Sequence, residues 1–301
     1  MKAIQYEEYG GPEVLRLVEV EEPQAGPGQI RVKVVVAAVN PFDFKLRRGY
    51  MQQLIPASFP ITPGSEAAGI VDEVGEGVSG VSVGDEVTGW TVTGSYAEYA
   101  LLTDFAPKPA SLDWETAATL PVATRTSKGA LDTLDLKAGE TLLVHGASSV
   151  VGAVGVQLAV ARGVTVIGTA SEANHDYLRS LGAIPVTYGD GLSDRVRATA
   201  PKGIDAVYDV TGYDVIGVSI ELCGGTTDRI VSVGDHTAPA RGVTFISAAV
   251  EFGPQLAEYA RLAADGGLSV RIDQTFQLAD AAKAQGLSEA GHPRGKLLLR
   301  P

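Results

Sequence analysis

The chain has 301 residues and a formal net charge of −12, from 24 Lys and Arg against 36 Asp and Glu. This length predicts two domains, because compact domains usually contain about 100 to 200 residues. The acidic balance argues against nucleic-acid binding, and the single cysteine, Cys223, excludes an intrachain disulfide and a structural zinc site made of cysteines.

The N-terminal segment MKAIQYEEYG has the pattern of a strand with early acidic residues. It lacks the basic segment and the apolar core of a secretion signal. No apolar run reaches the roughly 20 residues that a bilayer-spanning helix needs. We therefore expect a soluble, cytoplasmic protein with no membrane partner and no nucleic-acid partner.

The first 110 residues or so are expected to be rich in β-structure. Apolar runs such as Ile30–Val39 and Ala68–Gly75 alternate with glycine and proline turns, which is typical of many short strands. Asn40 follows the first of these runs, and Asp43 begins the helix-like segment that ends at Gly49. By their positions alone, Asn40 could brace the turn before the proline, and Asp43 could cap that helix.

The pattern changes near residue 111, where helical spacing begins with Ser111 as a candidate N-cap and Glu115 in the first turn. From there to about residue 252, strand patterns alternate with helical patterns, which predicts βαβ units and a parallel sheet. The remaining tail has too little apolar content to fold alone. We therefore expect one domain of residues 1–118 and 253–301, and a second domain of residues 119–252 inserted into it.

The most informative motif of the inserted domain is HGASSVVGAVG, at the end of a strand pattern. A dinucleotide-binding domain places small residues there, because backbone amides and the N-terminus of the next helix must approach a pyrophosphate. Gly146, Ser149 and Gly152 have a suitable spacing. The strict G-x-G-x-x-G pattern is not met, because Ala147 and Ser149 replace its first two glycines. A tight structural turn is the alternative.

The next strand pattern, VTVIGTAS, ends in Thr169, Ala170 and Ser171. NAD-specific sites usually carry an acidic residue at this point, where it binds the ribose. A hydroxyl without a carboxylate leaves room for a 2′-phosphate, so the sequence favours NADPH over NADH, although Glu172 stands one position away. Ser171 could instead cap the following helix.

These segments resemble the zinc-free quinone oxidoreductase (zeta-crystallin-like) branch of the medium-chain dehydrogenase/reductase superfamily. The resemblance spans essentially the whole chain. It is carried by VVVAAVNPFDFKLRRG, PGSEAAGIVDEVGEGV, VGDEV, GSYAEY, LPVATRT, LVHGASSVVG, IGTASEANHDYLRSLGA and LSEAGHPRGKLLL. Zinc-dependent relatives carry a ligand Cys and a ligand His where Ala38-Val39 and Gly64-Ser65-Glu66 stand, so no metal site is expected.

The resemblance implies a Rossmann parallel-sheet cofactor domain inserted in a GroES-like β-barrel catalytic domain. It also implies that hydride from NADPH passes to a quinone or to an activated alkene (enone) without a metal. The alternatives are a zinc-free alcohol or aldehyde reductase and a non-catalytic NADPH-binding protein. A homodimer is expected, with Arg241–Ala249 as a candidate edge strand for pairing.

The same resemblance implies a set of site residues. The catalytic candidates are Asn40, Tyr50 and Thr126, one or another of which would hydrogen-bond a substrate carbonyl oxygen as it gains charge, and Asp43 is a candidate for substrate binding. The candidate cofactor contacts are Gly146, Ser148, Ser149, Val150, Val151, Gly152, Thr169, Ser171, Tyr188, Val233 and Lys296. His145 is predicted to be a packing or backbone-bonded residue rather than a catalytic one.

Overall fold

The computed structural model describes residues 1–246, 252–291 and 293–301. Its strands are β1 (Lys2–Gln5), β2 (Arg16–Glu19), β3 (Ile30–Val39), β4 (Glu66–Val74), β5 (Glu86–Thr91), β6 (Tyr99–Pro107), β7 (Thr141–His145), β8 (Thr165–Ala170), β9 (Ile184–Thr187), β10 (Ala206–Asp209), β11 (Ile230–Ser232), β12 (Thr244–Phe245), β13 (Ile272–Gln277) and β14 (Lys296–Arg300). Its α-helices are α1 (Pro41–Arg47), α2 (Trp114–Thr133), α3 (Val150–Ala161), α4 (His175–Ser180), α5 (Leu192–Thr199), α6 (Ile216–Leu222), α7 (Gly253–Ala264) and α8 (Ala281–Glu289).

The chain divides into two compact units. Unit 1 consists of Met1–Val122 and Glu251–Pro301, and unit 2 consists of Ala123–Val250. The first division falls inside α2, after Val122, whereas the sequence pattern suggested residue 118. The second falls before residue 251, whereas the pattern suggested residue 253.

Unit 1 contains a six-stranded sheet in the order β13-β14-β3-β4-β5-β6. β3 also pairs with β6, so β3 to β6 close on themselves as a barrel. The C-terminal strand β14 pairs antiparallel with β3, with Leu298 opposite Ala38. Both ends of the chain therefore contribute to one hydrophobic core, which includes Val32, Leu102 and Leu299.

Unit 2 contains a six-stranded parallel sheet in the order β12-β11-β10-β7-β8-β9. Its first strand, β7, lies in the middle, and the chain winds outward first to one side and then to the other. Ligands of such sheets bind at the carboxyl ends of the strands, where the winding direction reverses. The predicted parallel sheet and the predicted β-rich unit are both confirmed.

The predicted N-cap of helix α2 is wrong. Asp113, and not Ser111, caps this helix, since Asp113 Oδ1 accepts a hydrogen bond from the backbone N–H of Thr116 at 2.7 Å. Glu115 lies in the first turn, as predicted. Both residue types are good N-caps, so the pattern SLDWE contains two candidates, and only the observed start at Trp114 distinguishes them.

The predicted pairing segment Arg241–Ala249 is described only in part. Thr244–Phe245 forms β12 at an edge of the parallel sheet, and residues 247–249 lie outside the described residues. In the described part of the chain, no helix has both the length and the apolar content that crossing a membrane requires.

Candidate active site

The turn between β7 and α3 accepts only glycine at two positions. Gly146 has a positive φ of 73°, and a Cβ atom there would lie 2.5 Å from the Thr211 side chain. A Cβ atom on Gly152 would lie 2.3 Å from the carbonyl oxygen of Gly146. The two glycines therefore let the first turn of α3 approach the end of β7 closely, as a phosphate-binding turn requires.

Ser149 caps α3 at this turn. Its Oγ accepts a hydrogen bond from the Gly152 N–H at 3.1 Å, and its own N–H donates to the Gly146 carbonyl at 3.0 Å. The amides of Val150 and Val151 lie in the first helical turn, where no acceptor exists within the helix. These amides and the positive end of a 12-residue helix suit a pyrophosphate, so the residues present fit a dinucleotide.

Thr169, at the end of β8, supports the glycine turn. Its Oγ1 accepts a hydrogen bond from the Gly146 N–H, and its carbonyl accepts one from the Ala147 N–H, each at 3.1 Å. Thr169 is buried, so it holds the turn in place from the neighbouring strand. Ser171 follows β8 and is partly exposed, and its Oγ accepts a hydrogen bond from the Asn174 side chain at 3.2 Å.

The other predicted cofactor contacts of unit 2 also follow strands of the parallel sheet. Tyr188 comes directly after β9 and is 59% exposed. Val233 comes directly after β11 and donates its N–H to the Asp209 carbonyl at 2.9 Å. Because the carboxyl ends of parallel strands share one edge, these residues lie at the same edge as the glycine turn.

Asp209 is a residue of this edge that the sequence analysis missed. Its carboxylate is fully buried and accepts hydrogen bonds from the Thr211 N–H, from the Thr211 hydroxyl and from the Ser232 hydroxyl, at 2.7 to 2.9 Å. It therefore joins the loop after β10 to β11. An acidic residue at the end of an apolar strand, as in AVYDV, is the signal that could have found it.

His145 lies opposite Asp209 on the neighbouring strand, inside the parallel sheet. Its Nε2 is 3.1 Å from the Ser219 hydroxyl oxygen. Burial lowers the pKa of His145 to about 4, although nearby Asp209 acts in the opposite direction. The imidazole is therefore neutral at neutral pH and packs within the sheet.

In unit 1, Asn40 belongs to a buried charged cluster. Lys296 Nζ donates to Asn40 Oδ1 at 2.6 Å and to Glu66 Oε1 at 2.6 Å, and Asn40 Nδ2 donates to the same Glu66 oxygen at 3.0 Å. All three side chains are at most 4% exposed. We call Asn40, Glu66 and Lys296 the buried triad. Lys296 was predicted as a cofactor contact, and its ammonium group is bonded within this triad.

Glu66 was not selected in the sequence analysis. It also accepts a hydrogen bond from helix α2, at the point where Pro121 interrupts the hydrogen bonds of the helix. Pro121 has no N–H, so the Ala117 carbonyl loses its helical partner and accepts the Thr88 hydroxyl at 2.7 Å instead. In the next position, the Val122 N–H donates to Glu66 Oε2 at 2.7 Å. Both carboxylate oxygens of Glu66 are therefore hydrogen-bonded, as a buried charge requires.

Asp43 lies next to the triad at the start of α1. Its Oδ2 accepts hydrogen bonds from the Asn40 N–H at 2.8 Å and from the Tyr96 hydroxyl at 2.9 Å. Asn40 is the N-cap of α1, so it supports the turn before the proline as considered, whereas Asp43 is the third helical residue and bonds back to the Asn40 N–H instead of capping a helix that starts after it. Burial raises the pKa of Asp43 to about 6 and raises that of Tyr96 well above its usual value.

A cavity of about 300 Å³ lies beside Asp43 within unit 1, and Ser65 and Thr91 also line it.

Tyr50 comes after α1 and is 65% exposed. Thr126 lies on α2 within unit 2 and is partly buried. Among the described residues, no three His, Cys, Asp or Glu side chains are grouped so that they could hold a metal ion.

Known proteins match this chain over most of its length. Residues 26–109 match the alcohol dehydrogenase GroES-like domain, and residues 181–299 match the family described as zinc-binding dehydrogenase. The quinone oxidoreductase of Rattus norvegicus is 38% identical over 247 residues, which cover 78% of this chain and 73% of that protein. The chain belongs to the zinc-free quinone oxidoreductase branch of the medium-chain dehydrogenase/reductase superfamily.

Two further known proteins match this chain over its whole length. The 2-methylene-furan-3-one reductase of Solanum lycopersicum is 32% identical and matches 100% of this chain and 79% of its own length. The quinone oxidoreductase of Escherichia coli, solved in complex with NADPH, has 27% identity and a TM-score of 0.88, with 100% of both chains covered. The predicted family and fold class are therefore confirmed.

Proposed function

We propose that this protein is an NADPH-dependent oxidoreductase that passes a hydride to a quinone or to an activated alkene without a metal ion. The observation that carries the proposal is the glycine turn at the reversal point of the parallel sheet, in a chain of the quinone oxidoreductase family. The related Escherichia coli enzyme was solved with NADPH. The tomato relative is named for a methylene-furanone, which is an alkene conjugated to a ketone.

In this proposal, unit 2 holds the cofactor, which supplies the hydride when it is bound. The backbone amides of Val150 and Val151 bind the pyrophosphate, and Thr169 fixes the turn that presents them. Ser171 and Tyr188 lie on the adenosine side. The remaining proposed contacts are Gly146, Ser148, Ser149, Gly152 and Val233 in unit 2 and Lys296 in unit 1.

The buried triad fixes which end of the Asn40 side-chain amide can donate a hydrogen bond to a substrate. An ammonium group can only donate hydrogen bonds, so the atom of Asn40 that faces Lys296 is its oxygen. The amide nitrogen then faces Glu66 with one hydrogen and has a second hydrogen to donate. We propose that Asn40 donates this hydrogen to the substrate carbonyl oxygen as negative charge develops there, with Tyr50 or Thr126 as the alternative donor.

Product analysis tests this function. The purified protein is mixed with NADPH and either a quinone or an enone, NADPH oxidation is followed by absorbance, and the products are identified by mass spectrometry. Formation of the hydroquinone and of the saturated ketone supports the proposal. Formation of the allylic alcohol indicates a carbonyl reductase instead, and saturable NADPH binding without turnover of any substrate indicates a non-catalytic binding protein.

The preference for NADPH has its own test. Ser171→Asp is expected to shift the ratio of kcat/KM values toward NADH by roughly tenfold or more, which is about 1.4 kcal/mol, because a carboxylate repels the 2′-phosphate. Ser171→Ala is the matched control, since it removes the hydroxyl without adding charge. An unchanged ratio in Ser171→Asp would remove Ser171 from the phosphate site.

The homodimeric state that the family resemblance implies is part of the same proposal, as is the cytoplasmic location expected from the sequence pattern. The edge strand β12 of the parallel sheet supports pairing, since an edge strand leaves backbone groups unpaired. Light scattering on the purified chain is expected to give twice the mass of 31.2 kDa. A monomer mass would refute the dimer.

A further inference from the structure

Asp43 has one carboxylate oxygen without a hydrogen-bond partner in the described part of the chain. This atom, Oδ1, is buried, whereas Oδ2 accepts hydrogen bonds from the Asn40 N–H and the Tyr96 hydroxyl. Asp43 also lines the cavity of about 300 Å³. A buried oxygen without a partner is unfavourable, and a group bound in the cavity that Asp43 lines would be able to supply the missing hydrogen bond.

These contacts determine where Asp43 binds a proton. Oδ2 already receives two hydrogen bonds, so an added proton is carried by Oδ1. A protonated Asp43 therefore presents an O–H donor on the side where the structure supplies no partner. The cavity is lined by further polar groups, among them Thr62, Ser65 and Thr91, and it is large enough to hold water molecules or part of a substrate.

The groups around Asp43 bring the pKa of its carboxyl close to neutral pH. Burial is the main effect and raises the pKa of its carboxyl to about 6. Lys296 on β14 and the hydrogen bond from Tyr96 act against this rise, and Glu66 on β4 adds to it. Tyr6, after β1, stays neutral beside Asp43, because burial raises the pKa of its hydroxyl to about 12. Asp43 can thus both hold and release a proton near neutral pH.

We propose that Asp43 is the proton donor of the reduction and delivers its proton from Oδ1 into the cavity. This inference rests on the proposed function. Hydride addition to the β-carbon of an enone leaves an enolate with negative charge on oxygen. The O–H bond of Asp43 breaks as an O–H bond to the enolate oxygen forms, either directly or through one water molecule. Asp43 becomes a carboxylate and regains a proton from solvent, and the enol rearranges to the saturated ketone. For a quinone, the acceptor of the proton is the hydroquinone oxyanion.

The test is the Asp43→Asn variant, which keeps an oxygen for the Asn40 and Tyr96 donors but has no acidic proton. We measure kcat between pH 5 and 9, the solvent isotope effect on kcat, and the Kd for NADPH. In the native enzyme, kcat is expected to fall as pH rises above the pKa of Asp43. In Asp43→Asn, kcat is expected to fall about 100-fold, with loss of this pH limb and a Kd for NADPH within twofold of native.

Tyr96→Phe is the matched control, because it removes a hydrogen bond to Oδ2 and leaves the carboxyl in place. It is expected to keep the pH limb and to move it to higher pH, since the Tyr96 hydroxyl favours the carboxylate. A role for Asp43 in helix capping alone would lower Tm in both variants without changing the pH profile. Native kcat and a native pH profile in Asp43→Asn would overturn the inference.

Two outcomes separate this inference from the function on which it rests. If the native protein reduces quinones or enones and Asp43→Asn does so equally well, only the proton donor is wrong. If the native protein binds NADPH but reduces neither substrate, the proposed function fails as well. If Asp43→Asn does not fold, the native enzyme still decides, because the absence of both a pH limb and a solvent isotope effect would refute proton donation by Asp43.

Discussion

The two units build their polar sites in opposite ways. In unit 2, the turn at Gly146 and Gly152 depends on the absence of side chains, and backbone amides at the start of α3 provide its hydrogen-bond donors. In unit 1, the buried triad depends on long side chains that arrive from three separate strands or turns. A turn made of backbone amides suits a phosphate group, which is common to the ligands of many proteins. A cluster of side chains can instead be adapted to one substrate.

The difference also affects stability. The glycine turn is sensitive to any added atom, because a Cβ on Gly146 would clash with the Thr211 side chain and a Cβ on Gly152 would clash with a backbone oxygen. The buried triad is sensitive to the loss of one charge, because the remaining charge has no water to solvate it. The predictions that follow test this contrast, from the largest expected effect to the smallest.

Removing one charge of the triad is expected to have the largest effect. Glu66→Gln and Lys296→Met should each lower the free energy of unfolding by about 3 to 5 kcal/mol, because each leaves a buried charge without its partner. The double variant should lose clearly less than the sum of the two. Urea unfolding of the four proteins measures this, and additive losses would show that the two charges do not interact.

The pH dependence of stability should differ in sign between the units. His145 has a lowered pKa in the folded state, so the unfolded chain takes up a proton at His145 first as the pH falls. His145 therefore does not reduce the free energy of unfolding above about pH 6.5. Between there and about pH 4, it lowers the free energy of unfolding by up to about 3 kcal/mol. His145→Gln should flatten this part of the profile.

Asp43 supplies the opposite trend. Its folded pKa is raised to about 6, so its contribution to stability is greatest at low pH and is lost as the pH rises to about 6. Thermal unfolding of His145→Gln and Asp43→Asn across pH 4 to 8 compares the two effects. Equal profiles for the native protein and both variants would contradict the two pKa shifts.

Adding one methyl group to the glycine turn is expected to cost about 1 to 3 kcal/mol. Gly152→Ala places a Cβ 2.3 Å from a backbone oxygen, so the turn must open, and we expect NADPH binding to weaken at least tenfold. The control is Gly129→Ala, also within a helix, where the nearest atom is 3.8 Å away. It should be neutral or stabilising by about 0.5 to 1 kcal/mol.

The smallest effect concerns the cap of α3. Ser149→Ala removes the oxygen that accepts the Gly152 N–H and should cost about 1 kcal/mol of stability. Ser149→Thr keeps a hydroxyl and should cost less. Thermal unfolding compares the two variants, and equal losses would show that the hydroxyl does not act as the cap.

Most of unit 2 can be predicted from the sequence. Its strands and helices follow local apolar patterns, and the glycine turn is a single short segment that the sequence can indicate, although Thr169 on the next strand also supports it. The carboxyl-edge positions of Ser171, Tyr188 and Val233 follow from the same alternation of strands and helices. Asp209 was missed because Thr211 bonds to it locally as in an ordinary turn, and its distant partner Ser232 becomes a neighbour only when β10 and β11 pair.

Unit 1 shows the limit of such reasoning. The sequence selected Asn40, Asp43 and Lys296 through a family resemblance, but it did not indicate that Lys296 bonds to Asn40, 256 residues away. Glu66 stands in a run of small residues, and its role appears only when β4, β14 and the break at Pro121 meet. Local periodicity, glycine spacing and charge are properties of short segments, so the sequence by itself determined them. Which buried charges pair, and which carboxylate oxygen has no partner, depended on contacts between distant segments, and only the tertiary structure decided them.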